Sequence, residues 1–419
     1  MDNQIYMCID LKTFFASCEC VHRGLDPFET NLVVADPSRG NGAICLAISP
    51  KLKSQGIRNR CRIYEIPKNI DYITAVPKMR MYMEYAARIY EIYLKYVSKE
   101  DIHVYSIDES FLNLTPYLKL YNKTSYEIAN HIKDDVLKTT GITATIGLGT
   151  NMYLAKIAMD IIAKHVDTHI AYLDQKKYRQ ELWHHKPLTD FWQIGRGTEK
   201  RLAKHGIEDM YGIAHFPEEV LYKEFGINAK YLIDHAWGKE PTTMEEIHGY
   251  EPVSKSVSNS QVLFEDYNYK DAYLVLKEMV EINVLTLSSR HLVTNLISLR
   301  IGYSKDIQPP TGGARKINQT TNVYSILLKE FCALYKDTTR RDTPIRTLAI
   351  SFGNIKEEKF EQYDLFTDFD EIEGEKNVQL ALLDIKSKYG KNAVLRGMNL
   401  CEKATTRKRN TLIGGHNAY

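Results

Sequence analysis

At 419 residues the chain exceeds one ordinary hydrophobic core, and its length predicts roughly two to four domains. Hydrophobic residues at 44% and charged residues at 26% exclude wholesale disorder; no apolar run reaches the ~18 residues of a membrane span, and no signal-peptide pattern precedes the first strand, so no membrane partner and a cytoplasmic location are expected. The net charge of +2 names no partner, and seven scattered cysteines suggest neither a disulfide framework nor a zinc site.

In chain order, "IYMCID" predicts a strand and "TFFASCECV" a helix, which puts Asp10 at a strand end. Short strands and turns occupy 27–67, where "NGAICLAISPKLKSQGI" combines a Gly turn, a β-rich run and a basic helix. "MRMYMEYAARIYEIYLKYV" predicts a long helix in which Met81, Tyr85, Ile89, Ile92 and Tyr96 form a core stripe. In "HVYSIDESFLNL" Asp108 and Glu109 stand side by side inside what otherwise reads as a buried strand. Successive strand residues point to opposite faces, so one acid faces somewhere unfavourable unless the chain bends there. A helix around 128–137, the strand "ITATIGLG" and the helix "NMYLAKIAMDIIAKH" complete an α+β core of the palm type.

The stretch 177–238 reads as helical and rich in short turns, with "LTDFWQIGRGTEKRLAKHGI" as two short helices joined by "IGRG". Gly195 and Gly197 would let a phosphate approach the backbone, with the next helix start pointing its N–H groups at it; a plain turn between helices is the competing reading. Part of "GKEPTTMEEIHGYEPVSKS" reads as a linker. Beyond it a strand (257–263), helix (270–289), strand (292–303), helix (322–335) and strand (345–352) predict a small helix-backed sheet, with "SKDIQPPTGGARKINQTT" as a loop holding an edge strand. Residues 251–356 carry 14 Lys/Arg against 10 Asp/Glu, 357–402 carry 6 against 11, and four basic residues and no acid follow from Lys403. A mildly basic module, an acidic segment and a basic tail are compatible with nucleic acid, although charge runs are most often solvated faces.

Two acids on one hairpin and a third on another strand are what two-metal phosphoryl transfer requires. Mg²⁺ prefers carboxylate oxygens, and two ions can stabilise both the attacking and the leaving oxygen of an in-line displacement. Asp10 precedes Asp108 by 98 residues, so a shared site would be tertiary. From "SIDES" alone two readings stand level: metal ligands at a hairpin tip, or a surface acid beside a paired core charge.

Three motifs in order resemble one family. "IDLKTFFASCE", "YSIDESF" and "GLGTNMYLAKIAMD" are similar to the successive motifs of the Y-family translesion DNA polymerases, within them the UmuC/UvrX-like branch of Gram-positive bacteria, and the resemblance covers essentially the whole chain. It implies an α+β multidomain right-hand fold: a palm (1–25 and 76–166), small fingers (26–75), a helix-hairpin-helix thumb (167–240), an α/β little finger (253–356) and a C-terminal tail (357–419). It further implies that Asp10, Asp108 and Glu109 hold two Mg²⁺ ions with the Leu11 carbonyl as an added ligand, and that Phe15 is a steric gate against the ribose 2′-OH. Phe14 beside it is a nucleotide contact or a core residue. Lys156 matches a lysine that reaches the triphosphate, Lys53 a basic position in the fingers, and Gly195 and Gly197 a DNA contact. In "EQYDLFTD", Gln362, Leu365 and Phe366 resemble the Gln-x-x-Leu-Phe peptide that docks on the sliding clamp, against the alternative of packing on its own domain. Lys12 and Pro50 depart from residues common in the family, which bears on the fingers contacts and leaves the three acids untouched.

The expected function is error-prone DNA-directed DNA synthesis on damaged templates, with primer-template DNA and dNTP as substrates, the clamp as partner and SOS accessory proteins as a further partner class. A nucleotidyl cyclase built on a similar palm, or a non-catalytic regulator bound to clamp or DNA, are the alternatives; the "IGRG" motif and the intact acids speak against them.

Overall fold

The computed structural model describes residues 4–252, 255–304, 308–359 and 369–419. The chain divides into two compact units, one running to Tyr250 and the other from Glu251 to Ala418.

The first unit opens with β1 (Tyr6–Leu11) and α1 (Phe14–His22), followed by β2 (Leu32–Val34), β3 (Ala47–Ile48), α2 (Pro50–Ser54) and β4 (Ile73–Ala75). Strands β3, β2 and β4 form a separate three-stranded sheet over a small core of Val33, Cys45, Ile48 and Leu52. The chain then returns through α3 (Met79–Tyr93), β5 (Ile102–Val104), β6 (Glu109–Asn113), α4 (Thr115–Tyr121), α5 (Ser125–Thr140), β7 (Ala144–Gly149), α6 (Met152–Ile157) and β8 (Ile170–Leu173). These strands make one sheet in the order β5-β6-β1-β7-β8.

Alternation along β1 explains the two faces of that sheet. Met7, Ile9 and Leu11 join Ile89 and Ile92 of α3 and Ile128, Ile132 and Val136 of α5 in the main core. Cys8 packs on the opposite face with Phe111, Met152, Ala155 and Met159. Asp10, two residues on, shares the Cys8 face. Helix α5 is fixed at both ends, by a reciprocal Thr124–Glu127 capping box and by Gly141 in a left-handed conformation. In α3 the buried stripe is Tyr82, Ile89, Ile92 and Tyr93, with Met81 and Tyr85 only partly buried beside it and Tyr96, also partly buried, beyond the helix end.

Helices α7 (Gln175–Leu182), α8 (Arg196–Ala203), α9 (Met210–His215), α10 (Glu218–Phe225) and α11 (Ala229–Ala236) gather around Leu202, Met210, Leu221 and Leu232. The expected pair of helices around "IGRG" is unequal: a single 3₁₀ turn, Leu188–Asp190, stands where the first was read. The expected linker also folds in part, because Thr243 and Glu246 cap a short helix, α12 (Met244–Gly249).

The second unit contains β9 (Val257–Tyr267), α13 (Tyr269–Ser289), β10 (Leu292–Tyr303), β11 (Thr311–Thr321), α14 (Tyr324–Thr338), β12 (Ile345–Gly353) and β13 (Lys356–Glu357). Its sheet runs β11-β10-β12-β9, with α13 and α14 packed over one face through Leu276, Val280, Leu327 and Phe331 against Ile297, Leu299 and Ile350.

The segment expected as a tail is folded from Phe369 onward: α15 (Phe369–Tyr389), α16 (Thr406–Arg409) and the hairpin of β14 (Leu412–Ile413) and β15 (His416–Asn417) belong to this unit. Polar side chains make the attachment. Gln379, 2% exposed, accepts the Tyr324 N–H and donates to Ser288 Oγ. Buried Glu278 accepts bonds from Asn399 Nδ2 at 2.8 Å and from the Thr405 N–H at 2.7 Å. A reading of hydrophobic periodicity has nothing to register in such anchors. The clamp-type residues Gln362, Leu365 and Phe366 lie outside the described residues.

Candidate active site

The two adjacent acids do not share a strand interior. Strands β5 and β6 pair antiparallel with Val104 opposite Ser110, and the N–H groups of Tyr105 and Ser106 both donate to the Glu109 carbonyl at 3.0 Å. The chain therefore reverses through residues 105–108. Asp108 stands on the turn, where its carboxylate accepts a 2.7 Å bond from Ser106 Oγ, and Glu109 opens the returning strand. Val104 and Tyr105, read as buried, are exposed on the approach to this turn. The bend removes the conflict, because only Glu109 is subject to strand alternation.

Sheet register brings the third acid in. Asp10 pairs directly with Glu109, and the Leu11 N–H donates to the Asp108 carbonyl at 2.9 Å. Leu11 closes β1; after it the backbone turns sharply, with Thr13 left-handed at φ 47°, into α1. Phe14 at the helix start is a core residue, 2% exposed. Phe15 is only partly buried, its ring stacked on Tyr82 at 4.6 Å, and the Tyr82 hydroxyl donates to buried Glu19 at 2.8 Å.

Glycines in β7 decide what faces the acids. Gly147 and Gly149 pair with Cys8 and Tyr6 of β1, on the face shared with Asp10. A Cβ at either position would be driven into the backbone of 154–159, so α6 lies backbone against backbone on β7. That approach carries Lys156 to Glu109 at 2.7 Å. Past α6 the chain widens into a π-helical turn, Ala158–Ile162, and Asp160 on it meets Lys156 at 2.9 Å and Lys164 at 2.7 Å. Lys164 reaches Asp10 at 3.2 Å. Burial, partly offset by Lys164 and reinforced by Asp108 and Glu109, pushes the Asp10 carboxyl up to about 6.

Among the described residues no three His, Cys, Asp or Glu side chains stand assembled as a preformed metal cage. The donor chemistry nevertheless suits a hard divalent cation: Asp10, Asp108 and Glu109 offer oxygen atoms alone, and Asp10 carries a destabilised charge that a dication would relieve. Asp160 and Lys164 are the participants missed from the sequence. The signal was present as Lys, Asp and Lys at four-residue spacing in "AKIAMDIIAKH", but charges at helical spacing usually mark a solvated face.

The other anticipated residues lie elsewhere. Lys53 is exposed on α2, close enough to Lys12 for their charges to oppose one another. Gly195 is the residue before α8 and Gly197 lies in its first turn; neither is in the left-handed region, and the space where a Cβ would stand is open at both. Internal packing thus does not require glycine at these two positions.

Comparison with known proteins agrees with this architecture. The model of the impB/mucB/samB family matches residues 9–160 and that of its C-terminal domain residues 254–365. Curated relatives include "Putative UV-damage repair protein UvrX" of Bacillus subtilis (strain 168), 31% identical over 98% of this chain and 97% of that protein. "DNA polymerase IV 2" of Halalkalibacterium halodurans is 27% identical over 99% of this chain and all of that protein. Among solved structures, the Y-family DNA polymerase chimera Dbh-Dpo4(243-245)-Dbh aligns with TM-score 0.63 and 20% identity over 84% of this chain and 99% of that one. The chain belongs to the Y family of DNA polymerases, in its UmuC/UvrX-like branch. Its first unit holds the palm and fingers of that fold and its second the little finger. No helix among the described residues is long and apolar enough to cross a membrane.

Proposed function

We propose that the protein is an error-prone DNA-directed DNA polymerase for translesion synthesis in the DNA-damage (SOS) response, adding a dNMP to a primer 3′-OH with release of pyrophosphate. The observation that carries this reading is the register pairing of Asp10 with Glu109 beside Asp108 on its turn, at the end of the palm sheet where β1 stops and β6 starts. Asp10, Asp108 and Glu109 hold two Mg²⁺ ions, with the Leu11 carbonyl as a further ligand. When bound, the ions supply electrostatic stabilisation of the attacking and leaving oxygens.

The chain's own groups do the positioning. Lys156, with 9% of its side chain exposed, is engaged by Glu109 and Asp160, which supports a role in orienting Glu109 over the triphosphate contact that the family motif implies. Lys164 keeps 38% of its side chain exposed and has the freedom to meet an incoming triphosphate. The exposed Lys53 contributes from the fingers. The fingers sheet has strands of only two or three residues, which supports a loose enclosure of the nascent pair and low discrimination. Open space at Gly195 and Gly197 leaves room for a DNA phosphate, and the basic stretch of the little finger gives duplex affinity that falls with salt.

Phe15 serves as the sugar gate, braced from one face by Tyr82. Phe15→Ala is expected to raise ribonucleotide insertion relative to deoxyribonucleotide insertion about tenfold or more, the scale on which pocket shape alone discriminates. Single-nucleotide insertion with paired rNTP and dNTP measures this; an unchanged ratio removes Phe15 from the role. Gln362, Leu365 and Phe366 dock on the sliding clamp, and SOS accessory proteins are a further partner class. Leu365→Ala combined with Phe366→Ala should weaken clamp binding by about tenfold or more, since adjacent apolar anchors dominate such contacts; equal affinity of the double variant for immobilised clamp refutes the assignment.

The function itself is tested by incubating the purified protein with Mg²⁺ and dNTPs, with and without primer-template DNA. Template-directed primer extension is expected. A cyclic nucleotide formed without DNA would make the protein a cyclase instead.

A further inference from the structure

Glu109, Lys156, Asp160, Lys164 and Asp10 form an unbroken chain of alternating charge, with successive separations of 2.7, 2.9, 2.7 and 3.2 Å. Asp160 gives one carboxylate oxygen to each lysine, and it sits in the π-helical turn, a widened geometry frequent at functional sites. Two of the proposed metal ligands, Glu109 and Asp10, are the ends of this chain, so each already has a cation.

The two lysines differ in what they can give up. Lys156 is enclosed between Glu109 and Asp160, 7% exposed as a residue. Lys164 is four times more open at its side chain and holds Asp10 by the longest contact of the chain. A dication entering at Asp10 meets this ammonium on the same carboxylate, and like charges so close repel strongly. Lys164 has somewhere to stay, because Asp160 Oδ1 holds it independently at 2.7 Å.

We propose that Lys164 is a built-in counter-cation that competes with a divalent metal ion for Asp10, and that Asp160 is the positioning residue that biases the exchange by retaining the lysine when it leaves. This rests on the reading of Asp10 as a metal ligand. The exchange moves one ammonium from two carboxylates to one, giving up its ion pair with Asp10 and breaking no covalent bond. It leaves Lys164 beside the site with a donor free for an anionic ligand, and it ties metal entry to the release of that donor.

The test measures Mn²⁺ binding directly, from the free-ion signal in electron paramagnetic resonance, on the full-length protein without DNA or nucleotide. Lys164→Met is expected to bind Mn²⁺ about fivefold more tightly, the scale of one partly exposed ion pair. Asp160→Asn is expected to bind it less tightly, because the lysine then rests on Asp10 alone, and Lys164→Arg should match the wild type. A merely structural role for these residues would weaken binding in both variants, so the opposite signs are diagnostic. Unchanged or weaker binding in Lys164→Met overturns the competition, and unchanged binding in Asp160→Asn overturns the role of Asp160. Should Lys164→Met melt below the wild type, Lys164→Gln carries the same expectation. If Asp10→Asn leaves Mn²⁺ binding unaltered, the metal reading fails rather than the exchange alone.

Discussion

Replacing Asp108 by Ala should reduce primer extension about a thousandfold or more while leaving the fold intact. The size follows from losing a metal-holding carboxylate, where about 4 kcal/mol of transition-state stabilisation corresponds to three decades in rate. The fold should survive because Asp108 stands on the 105–108 turn, and its side chain receives a hydrogen bond from the adjacent Ser106. Unfolding should therefore shift by less than about 1 kcal/mol, as for a surface change. Glu109→Ala is a less clean probe, since Lys156 and the Cys8 thiol both lean on Glu109. Its truncation leaves a buried ammonium short of one partner. Steady-state extension together with thermal melting separates the two variants, and full activity in Asp108→Ala would reject the metal assignment.

The second large effect is on stability. Gly147→Ala would place a methyl group on the Ala155 carbonyl oxygen and the Met159 amide nitrogen, both backbone atoms with no rotamer to yield. Helix α6 would have to lift from β7 or the sheet distort, at a cost of about 3 kcal/mol or more. In a unit of this size that lowers the melting temperature by roughly 6–12 °C. Activity should fall further than stability, because the same lift withdraws Lys156 from Glu109 and Lys164 from Asp10. Calorimetry checks the prediction; an unaltered melting temperature would mean that α6 does not lie on β7 as described.

These two cases also show what the sequence made legible. The acids were visible because carboxylates inside an apolar run are costly and so conspicuous; the strand "ITATIGLG" was read, but not the close backbone approach that its Gly147 and Gly149 permit. The bend that reconciles Asp108 with Glu109 was legible only as the condition for both acids to share a site at a hairpin tip; "YSID" holds Ser and Asp but no Gly, Pro or Asn, so the sequence does not fix where the chain turns. The ladder between the Tyr105 and Ser106 N–H groups and Glu109 makes that turn, and such bonds leave no trace in side-chain pattern. Lys164 and Asp160 escaped for a different reason: Lys164's partner Asp10 is more than a hundred residues away, so the value of the Lys-Asp-Lys spacing depends on β1 lying next to β7. The C-terminal segment was misread because charged and polar composition suggested solvent, whereas Gln379, Asn399 and Thr405 are buried and bonded to Ser288 and Glu278. Periodicity identifies apolar packing well; it is blind to polar docking.

The long elements of the second unit were the most legible. The strand read over 292–303 is β10, and the helix read over 270–289 differs from α13 by one residue, since both carry continuous apolar periodicity between clear stops. The edge strand expected inside the 304–321 loop is β11, although its eleven residues are longer than that composition suggested.

The most direct measurement is single-primer extension by the purified wild-type protein, with Mg²⁺ and all four dNTPs, on a template carrying one abasic site ahead of the primer. Nucleotide insertion opposite the lesion and extension past it are expected, with neither product in Asp108→Ala. A wild-type protein that is folded and binds the primer-template but leaves the primer unextended, on damaged and undamaged template alike, would contradict it.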